Sequence, residues 1–78
     1  MRYFDNGCFY TVACSRADVE AFASRWPCFG PAKPMWFQFD RRNGDLVDYG
    51  GADLSNDARG VSALADDAKA YAVGRMRR

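Results

Sequence analysis

The sequence predicts an α+β domain with the element order strand, helix, strand, strand, helix, folded as a three-stranded antiparallel sheet with both helices on one face. Three observations carry that reading. Cys8 to Cys14 is rich in aromatic and β-branched residues, two alternating segments flank Asn43-Gly44, and two stretches of helical spacing complete the chain.

Asp5-Asn6-Gly7 reads as a turn ahead of the first strand, which leaves Tyr3 and Phe4 as a short edge piece. Ser15 and Asp18 then form an S-x-x-D capping pattern. Val19, Phe22, Ala23 and Trp26 recur at helical spacing, so a helix is expected from about Arg16 to Arg25, ended by Pro27. The second strand, Met35 to Asp40, sends Met35, Phe37 and Phe39 to one face and Trp36, Gln38 and Asp40 to the other. Its hairpin decides the register of the third. A two-residue Asn43-Gly44 turn would mix apolar and charged residues on each face. A three-residue loop, Arg42-Asn43-Gly44, with Gly44 left-handed in a G1 bulge, instead pairs Arg41 with Asp45, Phe39 with Val47 and Phe37 with Tyr49.

Gly50-Gly51-Ala52-Asp53 ends the hairpin, and Ser55, Asn56, Asp57 and Gly60 read as loop. From about Ser62, the residues Leu64, Ala65, Ala68, Tyr71 and Ala72 make the apolar stripe of a last helix. Asp66 and Asp67 stand near its start and Lys69, Arg75, Arg77 and Arg78 toward its end, an order that suits the helix dipole. With the third strand between the first two, all neighbours are antiparallel and the helices share one face. The other face then carries Trp36, Gln38, Leu46 and Asp48, joined by Phe9 and Thr11 if Tyr10 and Val12 point inward.

A chain of 78 residues makes a single domain, and its six Phe, four Tyr and two Trp supply the dense core that so small a domain needs. There is no histidine. That removes Ser/His/Asp and Cys/His nucleophile systems and most catalytic zinc sites, so no enzyme activity is expected. The spacing of Cys8, Cys14 and Cys28 matches no compact metal knuckle, and no metal or cofactor is expected. Asp40, Asp45 and Asp48 stand among Arg41 and Arg42, which reads as an exposed charge network rather than a catalytic carboxylate pair.

The three cysteines read as reduced thiols. An extended strand holds Cys8 and Cys14 about 20 Å apart, beyond the roughly 7 Å that a disulfide spans. Cys28, beside prolines and a glycine, is either inert or the seat of a symmetric intermolecular disulfide, so monomer and homodimer both stay open. A net charge of +1, from 11 basic and 10 acidic residues, is too balanced to draw the whole molecule onto nucleic acid or an anionic membrane. No hydrophobic signal region or membrane span is visible, which points to the cytoplasm.

Arg25-Trp26-Pro27-Cys28, followed by Phe37-Gln38-Phe39-Asp40-Arg41-Arg42-Asn43-Gly44-Asp45-Leu46-Val47-Asp48, resembles short uncharacterised proteins of proteobacterial phages and mobile elements, over a stretch from about residue 8 to the C-terminus. That setting includes anti-CRISPR inhibitors, which bind a Cascade surveillance complex or nuclease and block DNA access. The resemblance implies a bacterial host cell and a protein partner such as a Cascade subunit; it assigns no residue a role. At +1 the chain departs from strongly acidic DNA mimics, so such an inhibitor would occlude a surface by shape and aromatic anchoring. Phe9, Trp36, Gln38, Arg41, Arg42, Leu46 and Asp48 are the candidate partner-binding residues. The alternative is a small nucleic-acid-binding regulator that uses the sheet aromatics with Arg75, Arg77 and Arg78.

Overall fold

The computed structural model describes residues 1–77, which form β1 (Arg2–Asp5), β2 (Phe9–Cys14), α1 (Arg16–Ala23), β3 (Met35–Asp40), β4 (Leu46–Gly50) and α2 (Ala58–Met76). The class is α+β, as expected. The sheet, however, has four antiparallel strands in the order β1-β2-β3-β4. Tyr3 and Phe4 belong to a full strand because the turn behind them is tightly bonded. Asn6 Oδ1 accepts from the N–H groups of Cys8 (3.0 Å) and Phe9 (2.8 Å), Asp5 accepts from Gly7 N–H, and Gly7 sits at φ 91°.

The strand order also differs from the expectation. β3, not β4, lies beside β2, so α1 joins two neighbouring antiparallel strands and there is no split crossover. The central place goes to the strand that buries more: Met35, Phe37 and Phe39 are almost wholly enclosed, whereas Leu46 to Tyr49 are exposed.

The β3–β4 hairpin keeps the expected pairing of Phe37 with Tyr49 and the left-handed Gly44 (φ 75°). Its irregularity sits elsewhere. The loop holds four residues, Arg41 to Gly44, closed by Asp40 N–H to the Asp45 carbonyl and Gly44 N–H to the Asp40 carbonyl (both 2.8 Å). The extra residue falls between Asp48, opposite Gln38, and Leu46, opposite Phe39, so Val47 is bulged out of the ladder and Phe39 pairs with Leu46.

Both helices pack on one face of the sheet. Tyr10, Val12 and Cys14 from β2 and Met35, Phe37 and Phe39 from β3 form a single core with Val19 and Phe22 of α1 and Leu64, Ala65, Ala68 and Ala72 of α2. Tyr10 and Val12 therefore point inward. Ser15 caps α1 in a reciprocal box with Asp18.

α2 starts earlier than its apolar stripe suggests. Asp57 is its N-cap, accepting from Gly60 N–H (3.2 Å) and from the Trp26 indole Nε1–H (2.7 Å). Gly60 lies inside the first turn, where a Cβ would stand 2.6 Å from the Phe29 ring and 3.0 Å from Trp26 Nε1. The Trp26-Pro27-Cys28-Phe29 segment is thus the plug that locks the α1–β3 connection onto α2. Asn56 completes the lock by donating to the carbonyls of Phe29 (3.1 Å) and Pro31 (3.3 Å).

Candidate protein-binding surface

Register places the outward residues of the sheet in rows. One row reads Arg2, Ala13, Trp36, Gly50; the next reads Phe4, Thr11, Gln38, Asp48; the third pairs Phe9 with Asp40. No described element covers this face. Trp36 is 39% exposed and Phe4 49%, while Phe9 and Gln38 are half-buried among their neighbours. The aromatic residues stand at the corners of a polar centre of Thr11 and Gln38, so the face is no continuous stacking platform. Trp36 lies flat over Gly50, whose missing side chain makes room: a Cβ there would meet the indole at 2.5 Å. Arg2 stacks on Phe4, 5.3 Å from the ring centre.

Of the expected partner-binding residues, Phe9, Trp36, Gln38 and Asp48 share this open face. Leu46 does not. The bulge at Val47 puts it opposite Phe39 on the helix side, where it lines a groove with Tyr49, Ala52, Leu54 and Val61. Arg41 is also diverted from Asp45. It pairs with Asp5 at 2.9 Å and donates to Met76 Sδ, which ties the hairpin to β1 and to the end of α2. Arg42 stands almost free beside Asp40 (3.6 Å), next to Phe9 and Cys8. The Asp40 carboxyl is held below its usual range by the Arg42 backbone N–H and then by its guanidinium.

The groove beside β4 escapes sequence reasoning because it is made by the gap between an edge strand and the first turns of α2. Leu46, Val47 and Tyr49 are 40–49% exposed, and Leu54 is fully exposed. One signal was present: Leu54 is a lone large apolar residue in a loop of Gly, Ala, Asp, Ser and Asn. That loop is rigidly bonded. Asp53 accepts from Ser55 Oγ and N–H and pairs with Lys33 at 2.9 Å, and these contacts, led by the Ser55 hydroxyl, hold its carboxyl at about 2.

The residues of the nucleic-acid alternative lie apart from the aromatic ones. Arg75, stacked on the Tyr71 ring (4.9 Å), and Arg77, the C-cap, belong to α2, which covers the opposite face from Trp36; Arg78 lies outside the described residues. All three thiols are free. Cys8 and Cys28 are exposed, and Cys14 is buried. Among the described residues, no group of three or more Cys, Asp or Glu side chains could hold a metal ion, and no helix is long and apolar enough to cross a membrane. No family model, curated protein or solved structure matches this chain.

Proposed function

We propose that this chain is a protein-binding domain without catalytic chemistry, an inhibitor that occludes a surface of its partner. The observation that supports this reading is the gathering of exposed apolar anchors around one edge of the sheet. Leu46, Val47, Tyr49 and Leu54 lie on or just after β4, and Trp36 lies over its last residue. A partner that embraces this edge reaches the open face and the groove together. Large apolar side chains presented in this way are the usual carriers of interface energy.

The resemblance to phage and mobile-element proteins names a type I Cascade subunit as the first partner to test. Immobilised protein is exposed to the separate Cascade components, with Trp36→Ala, Tyr49→Ala and Arg42→Glu as probes. The wild type captures one component, and each aromatic truncation weakens capture about thirtyfold, the scale of a hot-spot loss of about 2 kcal/mol. Wild-type failure to capture any component removes Cascade as the partner. Nucleic-acid binding is the weaker reading, because Asp40 and Asp48 share the open face and Arg75 and Arg77 stand behind it. It requires oligonucleotide affinity that falls steeply with salt.

A further inference from the structure

Resting on the protein-binding reading, the geometry points to β4 as an acceptor edge for an extended segment of a protein partner. That segment alternates basic and apolar residues and adds as a fifth strand. β4 is a terminal strand, bonded to β3 alone. The Tyr49 N–H donates to the carboxylate of Asp48 (2.9 Å), so a side chain occupies the place of a neighbouring strand's carbonyl. An added strand supplies that carbonyl in its stead, and a Lys or Arg side chain on it then takes the freed carboxylate.

Charge selects the occupant. Asp45 stands just before the strand and Asp48 within its exposed part, neither has an ion-pair partner among the described residues, and no basic residue lies between Asp45 and Gly50. A second copy of this chain fits poorly. Two-fold pairing of β4 with itself crowds four carboxylates along one seam with no cation on either strand, and like charges across strands repel. A basic and apolar segment satisfies both sides of the edge. Its basic residues meet Asp48 on the open face. Its alternate apolar residues turn to the other side, into the groove of Leu46, Tyr49, Leu54 and Val61.

The test is amide NMR of the whole chain titrated with short synthetic peptides that alternate Lys with Val or Leu, with Glu-for-Lys and Pro-interrupted versions as controls. The Lys series shifts the Val47 and Tyr49 amides and protects Tyr49 N–H from exchange, and the controls do not bind. Asp48→Asn removes the charge, retains an acceptor for Tyr49, and weakens the Lys series about tenfold. No binding by the Lys series, equal binding by the Glu series, or indifference to Asp48→Asn overturns the inference. The Cascade capture reads the underlying function separately. A partner held through Trp36 but indifferent to Asp48→Asn leaves protein binding intact and removes strand addition alone.

Discussion

Trp36 and Phe37 are consecutive residues of one strand with opposite fates. Phe37 is fully enclosed beneath the helices, and Trp36 is 39% exposed over a glycine. The same division runs through β2, where Tyr10, Val12 and Cys14 are sealed and Phe9, Thr11 and Ala13 are half-covered. Both faces of this sheet are rich in large side chains, yet only one has helices to bury them. Aromatic content therefore carries two meanings in this chain: stability on the inner side, and capacity for contact on the outer side.

The widest gap between the faces is expected in stability. Truncating Phe37 to Ala opens a cavity in a domain whose whole stability is about 4–12 kcal/mol, and costs about 3–5 kcal/mol. Trp36→Ala removes only the cover of Gly50 and part of Ala13, and costs about 1 kcal/mol. Urea unfolding of the two variants beside the wild type measures both. Equal losses would mean that Trp36 supports the fold and is not held available for a partner.

Thiol chemistry reads the same division without any mutation. Burial pushes the Cys14 thiol up to about 11 from the ordinary 9.0, a hundredfold drop in thiolate at a given pH, and only 2% of the side chain is exposed. Alkylation of native protein near neutral pH should modify Cys8 and Cys28 and leave Cys14 at least about a hundredfold slower. In denaturant the three should react alike. Rapid modification of native Cys14 would show that the inner layer opens at the end of β2.

Alternation made the faces legible from sequence. Met35, Phe37 and Phe39 against Trp36, Gln38 and Asp40 admits one sensible orientation, and the strand, the cap and the start of the helix over residues 9–23 follow from local chemistry. The helix itself ends at Ala23, two residues short of the expected Arg25, and leaves Trp26 to the plug. Strand order was not legible. The same hairpin can enter the sheet with either strand inward, and the choice depends on how much each strand buries once the helices are in place. The identity of the bulged residue was hidden for a similar reason. Gly44 announces a left-handed turn, but nothing local says that Val47 will leave the ladder, and that displacement carries Leu46 from the open face to the groove. Trp26-Pro27-Cys28 had the look of a motif; its neighbours Asp57 and Gly60, which explain it as a plug, are some thirty residues away in sequence.

That plug gives a smaller but sign-sensitive test of how tightly the covered layer is closed. Gly60 and Gly74 both lie in α2, where alanine ordinarily gains up to about 1 kcal/mol. At Gly74 nothing lies within 4 Å of an added Cβ, and Gly74→Ala should stabilise by about 0.5–1 kcal/mol. At Gly60 the new methyl meets two aromatic rings, so Gly60→Ala should destabilise by about 1–3 kcal/mol despite the same helical gain. Thermal melts of the pair decide it. A stabilising Gly60→Ala would mean that the Trp26 and Phe29 rings yield easily and that the plug is loose.

The smallest effect expected is the acid response of the loop that carries Leu54. The Asp53 carboxyl stands at about 2 in the folded chain against an ordinary 3.8, so the native state favours its charged form. A carboxyl depressed on folding contributes stability that is complete above its unfolded value and fades as pH falls through the folded one. The window for Asp53 therefore runs from about pH 4 down to about pH 2, and Asp53→Asn should flatten the decline of the melting temperature across it. Because the Ser55 hydroxyl is the leading cause and Lys33 the next, Ser55→Ala should flatten the slope more than Lys33→Ala. The reverse order would make the exposed Lys33 pair the dominant restraint. That would leave the loop and its Leu54 anchor held by a screened surface charge, a far weaker mount for a side chain proposed to seat a partner.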